Sequence, residues 1–158
     1  YYYHSNDEVR EKQKKLLIQH IKLAKEYDLP MIFHIRDAFS DFFKIIDNHP
    51  GIRGVVHSFT AGVEELEGVL NRGLYVGLNG IMTFTKDPKQ LEAAKAVPLS
   101  RIVVETDAPF LTPVPFRGKM CEPKYVVCTA EFLSKLREEP FAKFAKPTTL
   151  NAQQPFTI

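Results

Sequence analysis

The chain has 158 residues, enough for one ordinary core, so a single domain over 1–158 is the expectation. Hydrophobic residues make up 44% and charged ones 25%, a globular balance, and a net charge of +2 neither demands a nucleic-acid partner nor opposes one. Two cysteines exclude a disulfide framework, and no run approaches the ~20 apolar residues of a membrane span.

The opening order Tyr1-Tyr2-Tyr3-His4-Ser5-Asn6-Asp7 lacks the basic-then-apolar pattern of a secretory leader, so a cytoplasmic location is expected. It also lacks an initiator Met, which implies that the chain begins within something larger. Residues 6–27 have helical spacing, with Val9, Leu16, Leu17, His20, Leu23 and Ala24 on one face. The Lys12-Gln13-Lys14-Lys15 run is predicted to lie on the wet side. Leu29-Pro30 stops the helix, and 31–35 follows as a buried strand. A second helix is predicted over 38–47, ended by His49-Pro50-Gly51. The next strand covers 54–59, and the next helix 62–71, with Gly73 as its C-cap.

A third strand over 74–78 closes on Asn79-Gly80. Asp87-Pro88 then opens a helix to about 96, with proline in the first turn where its missing N–H costs nothing. The fourth strand covers 102–105. An irregular stretch over 108–122 carries Pro109, Pro113, Pro115 and Gly118. Residues 123–137 read as helix again, and the tail holds a short helix over 148–154.

Three chemistry-bearing residues recur at one end of these runs. His34 falls in Met31-Ile32-Phe33-His34-Ile35, His57 closes Gly54-Val55-Val56-His57, and Asp107 ends Ile102-Val103-Val104-Glu105-Thr106-Asp107. Strands alternating with helices predict an α/β fold, and the crossovers make the sheet parallel with its carboxyl ends on one rim. Sites form at that rim. Imidazole and carboxylate there are donors for a divalent cation. Four strands are half of an eight-stranded barrel of ~250 residues. A half-barrel leaves two raw sheet edges, so either the sheet is a small open one or a piece is missing. A lone histidine at a strand end is commonly structural; two, with Asp107 at an equivalent end, favour ligation.

The stretches His34-Ile35-Arg36-Asp37-Ala38, Gly54-Val55-Val56-His57-Ser58-Phe59-Thr60, Gly80-Ile81-Met82-Thr83-Phe84 and Glu105-Thr106-Asp107-Ala108-Pro109-Phe110-Leu111 resemble the TatD family of metal-dependent deoxyribonucleases. Pro113-Val114-Pro115-Phe116-Arg117-Gly118-Lys119 and Glu122-Pro123 are similar to that family's post-strand loop, and Thr148-Thr149-Leu150-Asn151-Ala152 to its closing helix. Family members also carry an N-terminal His-x-His pair and a Glu in a Gly-Glu-x-Gly-Leu-Asp-like stretch, and neither occurs here. Tyr1-Tyr2-Tyr3 resembles the residues after that Glu. The resemblance therefore implies the C-terminal part of a (β/α)8 TIM-type barrel, lacking its first three strands.

It further implies His34 and His57 as ligands of one metal and Asp107 as ligand of another. Mg2+, Mn2+ or Zn2+ would be bound, two ions in the complete protein. Glu105 and Asp107 are the implied catalytic carboxylates, although Glu105 also reads as a buried partner for Arg36 or Arg101. Arg117, with Lys119 and Lys124 nearby, is the implied phosphate contact. Phe110 and Phe116 either stack bases or pack in the core. The implied reaction is in-line attack of a metal-activated water on DNA phosphorus. This span alone is expected to bind metal weakly and turn over little. Alternatives are hydrolysis of a small ester or amide on the same scaffold, or a non-catalytic binding domain. The open sheet edges predict association with a second copy.

Overall fold

Asn6 opens the first helix, α1 (Asp7–Glu26): its side chain accepts the Val9 N–H at 2.9 Å, and Asp7 and Glu8 meet the helix dipole in the first turn. These coordinates come from a computed structural model that describes residues 6–156. Tyr1, Tyr2, Tyr3 and His4 lie outside the described residues, as does the end of the tail. The predicted wet side of α1 is correct, with Lys12 on Glu8 and Lys14 on Glu11 and Asp41.

The apolar face of α1 is covered only in part, with Leu17 and Ala24 packed on the core. Ile21 and Ala24 are its buried residues, while Val9, Leu16 and Leu23 are 41%, 53% and 50% exposed. The cause is position. α1 precedes β1 (Met31–His34), the outermost strand, and no described element covers the stripe. Leu16, Leu23, Leu29 and Ile32 instead line an apolar groove of about 740 Å3 along that edge.

From β1 the chain alternates as predicted: α2 (Phe39–Asp47), β2 (Gly54–His57), α3 (Val63–Leu70), β3 (Tyr75–Leu78), α4 (Pro88–Ala96) and β4 (Ile102–Val104). The four strands pair in the order β1-β2-β3-β4, all parallel. That consecutive order is an arc of barrel wall, not the reversed order of a doubly wound sheet. Phe33 of β1 meets Phe42 of α2 edge-on at 5.1 Å, and Val56, Leu66, Val69 and Val76 continue the same buried layer. Asp87 caps α4 by accepting the Lys89 N–H at 2.9 Å.

Two of the boundaries that differ from the predicted ones have identifiable causes, one local and one tertiary. β2 stops at His57 because Ser58 takes a left-handed φ of 52°. The tail is not a short helix. After α5 (Val126–Leu136), α6 runs over Phe141–Phe156, straight through Pro147. Pro147 removes one helical hydrogen bond, but Phe144 is fully buried and Asn151 donates to the Leu99 and Ile102 carbonyls at 2.7 and 2.8 Å. Tertiary anchoring outweighs the local break. Among the described residues, no helix is long and apolar enough to cross a membrane.

Candidate metal centre

β1 and β2 end together, with His34 opposite His57 in the parallel register. Registered residues share a face of the sheet; their rings lie 5.8 Å apart, tilted at 44°. Asp107, three residues past β4, brings Oδ1 to 2.8 Å from His57 Nε2. Glu105, immediately past β4, places Oε1 2.8 Å from His57 Nδ1. The Ser58 N–H donates to the same Glu105 oxygen at 2.6 Å, and Asn79 Nδ2 donates to Ser58 Oγ at 2.8 Å.

Two adjacent imidazoles are thus pushed in opposite directions. The hydrogen bond to Glu105 raises the His57 pKa against the opposing effect of burial, with Asp107 adding to the rise. Desolvation lowers the His34 pKa, and the neighbouring His57 lowers it further.

The donor chemistry suits a divalent ion: two imidazoles and a carboxylate converge at the strand ends, and a second carboxylate sets one imidazole from behind. As the side chains lie, no set of three His, Cys, Asp or Glu among the described residues is close enough to hold an ion. His57 Nε2 and Asp107 Oδ1 are in hydrogen-bond contact at 2.8 Å, closer than the ~3.4 Å that separates two donors ~2.1 Å from a tetrahedral ion.

Glu105 pairs with His57 and the Ser58 N–H, not with Arg36 or Arg101; Arg101 lies over Tyr75 and donates to the Gly73 carbonyl. Arg117 is exposed but pinned, with its guanidinium 3.8 Å over the Phe84 ring and Nη1 donating to the Thr112 carbonyl at 2.9 Å. Phe116 stacks on Tyr125 at 4.4 Å, whereas Phe110 is exposed. Lys124 is paired with Glu122. His20 is exposed beside the apolar groove, and Cys121 and Cys128 are unpaired thiols. Beside the rim, Arg36, Asp37, Glu64 and Lys89 line a polar groove of about 600 Å3.

Ser58, Asn79 and Gly77 were not singled out by residue type. A glycine inside an apolar strand run was the available signal, since it marks close approach.

A sequence profile described as TatD related DNase matches residues 1–157. The chain is 39% identical over 158 residues to YabD of Bacillus subtilis, named an uncharacterised metal-dependent hydrolase, and the match covers 99% of this chain and 62% of that one. It is 40% identical over 101 residues to a fission-yeast protein named Deoxyribonuclease Tat-D (Schizosaccharomyces pombe), covering 62% of this chain and 32% of that one. The crystal structure of YJJV, a TatD homolog from Escherichia coli, superposes with a TM-score of 0.89 at 29% identity, over 98% of this chain and 60% of that one. The chain therefore spans about 60% of the length of such relatives.

Proposed function

The chain belongs to the TatD related DNase family, and on that premise we propose that it carries part of the site of a metal-dependent hydrolase cleaving DNA phosphodiester bonds. The observation that carries this reading is the contact of His57 Nε2 with Asp107 Oδ1 at 2.8 Å on the carboxyl rim of the sheet. His57, Asp107 and His34 are the residues that would hold the ion. Mg2+, Mn2+ or Zn2+ at this position, one of two in the whole protein, would supply Lewis-acid stabilisation of charge on the phosphodiester and a lower pKa for the attacking water.

The residues' own parts follow from their contacts. Glu105 accepts the Nδ1 proton of His57, which turns Nε2 toward Asp107 and the mouth. Asp107 supplies an anionic oxygen. His34, with its pKa lowered chiefly by desolvation, would supply a second imidazole nitrogen. Glu105 is accordingly an orienting group in this reading, while Asp107 keeps its role at the reacting centre. Arg117, pinned over Phe84, offers fixed positive charge for a phosphate. DNA as substrate is supported by the name of the fission-yeast relative. Unpaired Cys121 and Cys128 fit a reducing compartment, the cytoplasm.

The test is cleavage of a labelled DNA oligonucleotide by the chain with added Mn2+, with EDTA, and as the Asp107→Ala variant. Weak metal-dependent cleavage, lost in the variant, is expected. Cleavage that survives EDTA or Asp107→Ala contradicts the proposal. A nitrophenyl ester hydrolysed while DNA is untouched would favour small-ester chemistry on the same scaffold.

A further inference from the structure

Resting on the metal-site reading above, we infer that Gly77 and Ser58 are positioning residues that seat the Glu105 carboxylate on Nδ1 of His57. The contact spans an unusual distance. Glu105 follows β4 and His57 ends β2, so β3 lies between them, two strand spacings or roughly 9.6 Å across the sheet. The register Val56↔Val76, continued by one residue, sets Gly77 beside His57. On its other side Gly77 pairs with Val103, two residues before Glu105. Residues two apart on a strand share a face, so the Glu105 side chain leans back across β3 at position 77.

There is room for it only because position 77 has no side chain. A Cβ on Gly77 would lie 2.5 Å from Glu105 Oε2 and 2.7 Å from both Oε1 and the carboxyl carbon. Gly77 is not among the glycines with left-handed backbone. Space, not conformational freedom, is what this glycine supplies.

Ser58 holds the carboxylate from the other side. Its left-handed φ of 52° is uncommon for a residue with a side chain, and its N–H donates to Glu105 Oε1 at 2.6 Å. The turn is tied down: Ser58 Oγ accepts from Asn79 Nδ2 at 2.8 Å, and Asn79 Oδ1 accepts the Ile81 N–H at 3.0 Å. Ser58 and Asn79 are 8% and 1% exposed, so water competes little for these bonds. One oxygen, Oε1, receives both His57 Nδ1 and the Ser58 N–H, while Oε2 rests over Gly77. His57 is left with Nε2 toward Asp107.

Gly77→Ala tests this, because the added methyl meets only the far end of a flexible side chain. Two readouts are taken on the chain. The imidazole 15N signals of metal-free protein report the Nδ1 hydrogen bond of His57, and calorimetry reports affinity for Mn2+. In Gly77→Ala the Nδ1 bond signature is expected to vanish and Mn2+ affinity to fall by about 10- to 100-fold, with circular dichroism unchanged. Glu105→Gln separates geometry from charge: its amide oxygen still accepts from Nδ1, so the ring signature is retained. Ser58→Gly keeps the left-handed turn but frees it from Asn79, and gives a partial shift in the same direction even if Gly77→Ala does not fold. Unchanged His57 signals in both Gly77→Ala and Ser58→Gly overturn the inference. Shifted ring signals in a chain that never binds Mn2+ sustain the positioning role and remove the metal reading instead.

Discussion

At the scale of single residues, His57 decides the chemistry of the rim, and its environment has a measurable pH signature. Its folded pKa is raised above the ordinary value of about 6.5, chiefly by Glu105. The stability it contributes is therefore fully present below about 6.5 and lost as pH rises through the raised folded value. His34 has the opposite sign: its pKa is lowered, so its neutral form favours the fold and stability falls as pH drops from about 6.5 through the folded value. NMR titration of metal-free protein should show His57 titrating above His34, and Glu105→Gln should bring the two closer. Titration in the reverse order would contradict the assigned contacts. Arg117 makes a second case. Arg117→Ala is expected to weaken DNA binding and reduce the slope of log affinity against log salt by about 1, measured by fluorescence anisotropy; an unchanged slope denies the phosphate contact. The placing of His34, His57 and Asp107 together at the strand ends was legible in the sequence, because each follows an apolar strand run. The partner of Glu105 was not, since it lies two strands away and the reach depends on an absent side chain at Gly77.

At the scale of elements, the alternation of strand and helix was legible because apolar runs, Pro88 and the Gly51 and Gly73 turns punctuate it locally. The places that were not legible are those where distant contacts override local preference. Pro147 argues against a helix through it, yet α6 is continuous because Phe144 is fully buried and Asn151 donates to the Leu99 and Ile102 carbonyls at the foot of β4. Phe144→Ala should cost about 3–5 kcal/mol. Asn151→Ala should cost about 1–3 kcal/mol by leaving the Ile102 carbonyl without its partner. Urea denaturation gives both values, and a loss below about 0.5 kcal/mol for Phe144→Ala would mean that α6 does not hold the sheet. β2 ends two residues early for a similar reason: Ser58 and Phe59 look like more strand, but the left-handed Ser58 turns its N–H to Glu105.

At the scale of the whole molecule, the four parallel strands among the described residues, in consecutive order, form an arc of barrel wall. The two edges of this arc differ. Asn151 of α6 occupies the Ile102 carbonyl of β4, whereas β1 stands beside the groove of Leu16, Leu23 and Leu29, with Ile32 65% exposed. An uncovered edge strand with apolar surroundings invites pairing, so the chain is expected to self-associate through β1 and α1. Sedimentation should show concentration-dependent association that Ile32→Lys reduces; a monomer at all concentrations would refute this. The apolar face of α1 was legible as a stripe but not as exposed, because periodicity marks a face to be covered and does not say what covers it. Holding a divalent ion would require His57 and Asp107 to give up their mutual hydrogen bond, and calorimetric titration with Mn2+ at two pH values checks this. Weak binding that releases protons, weakens as pH falls and disappears in Asp107→Ala is expected. Binding that is absent at both pH values, or that survives Asp107→Ala, would contradict it.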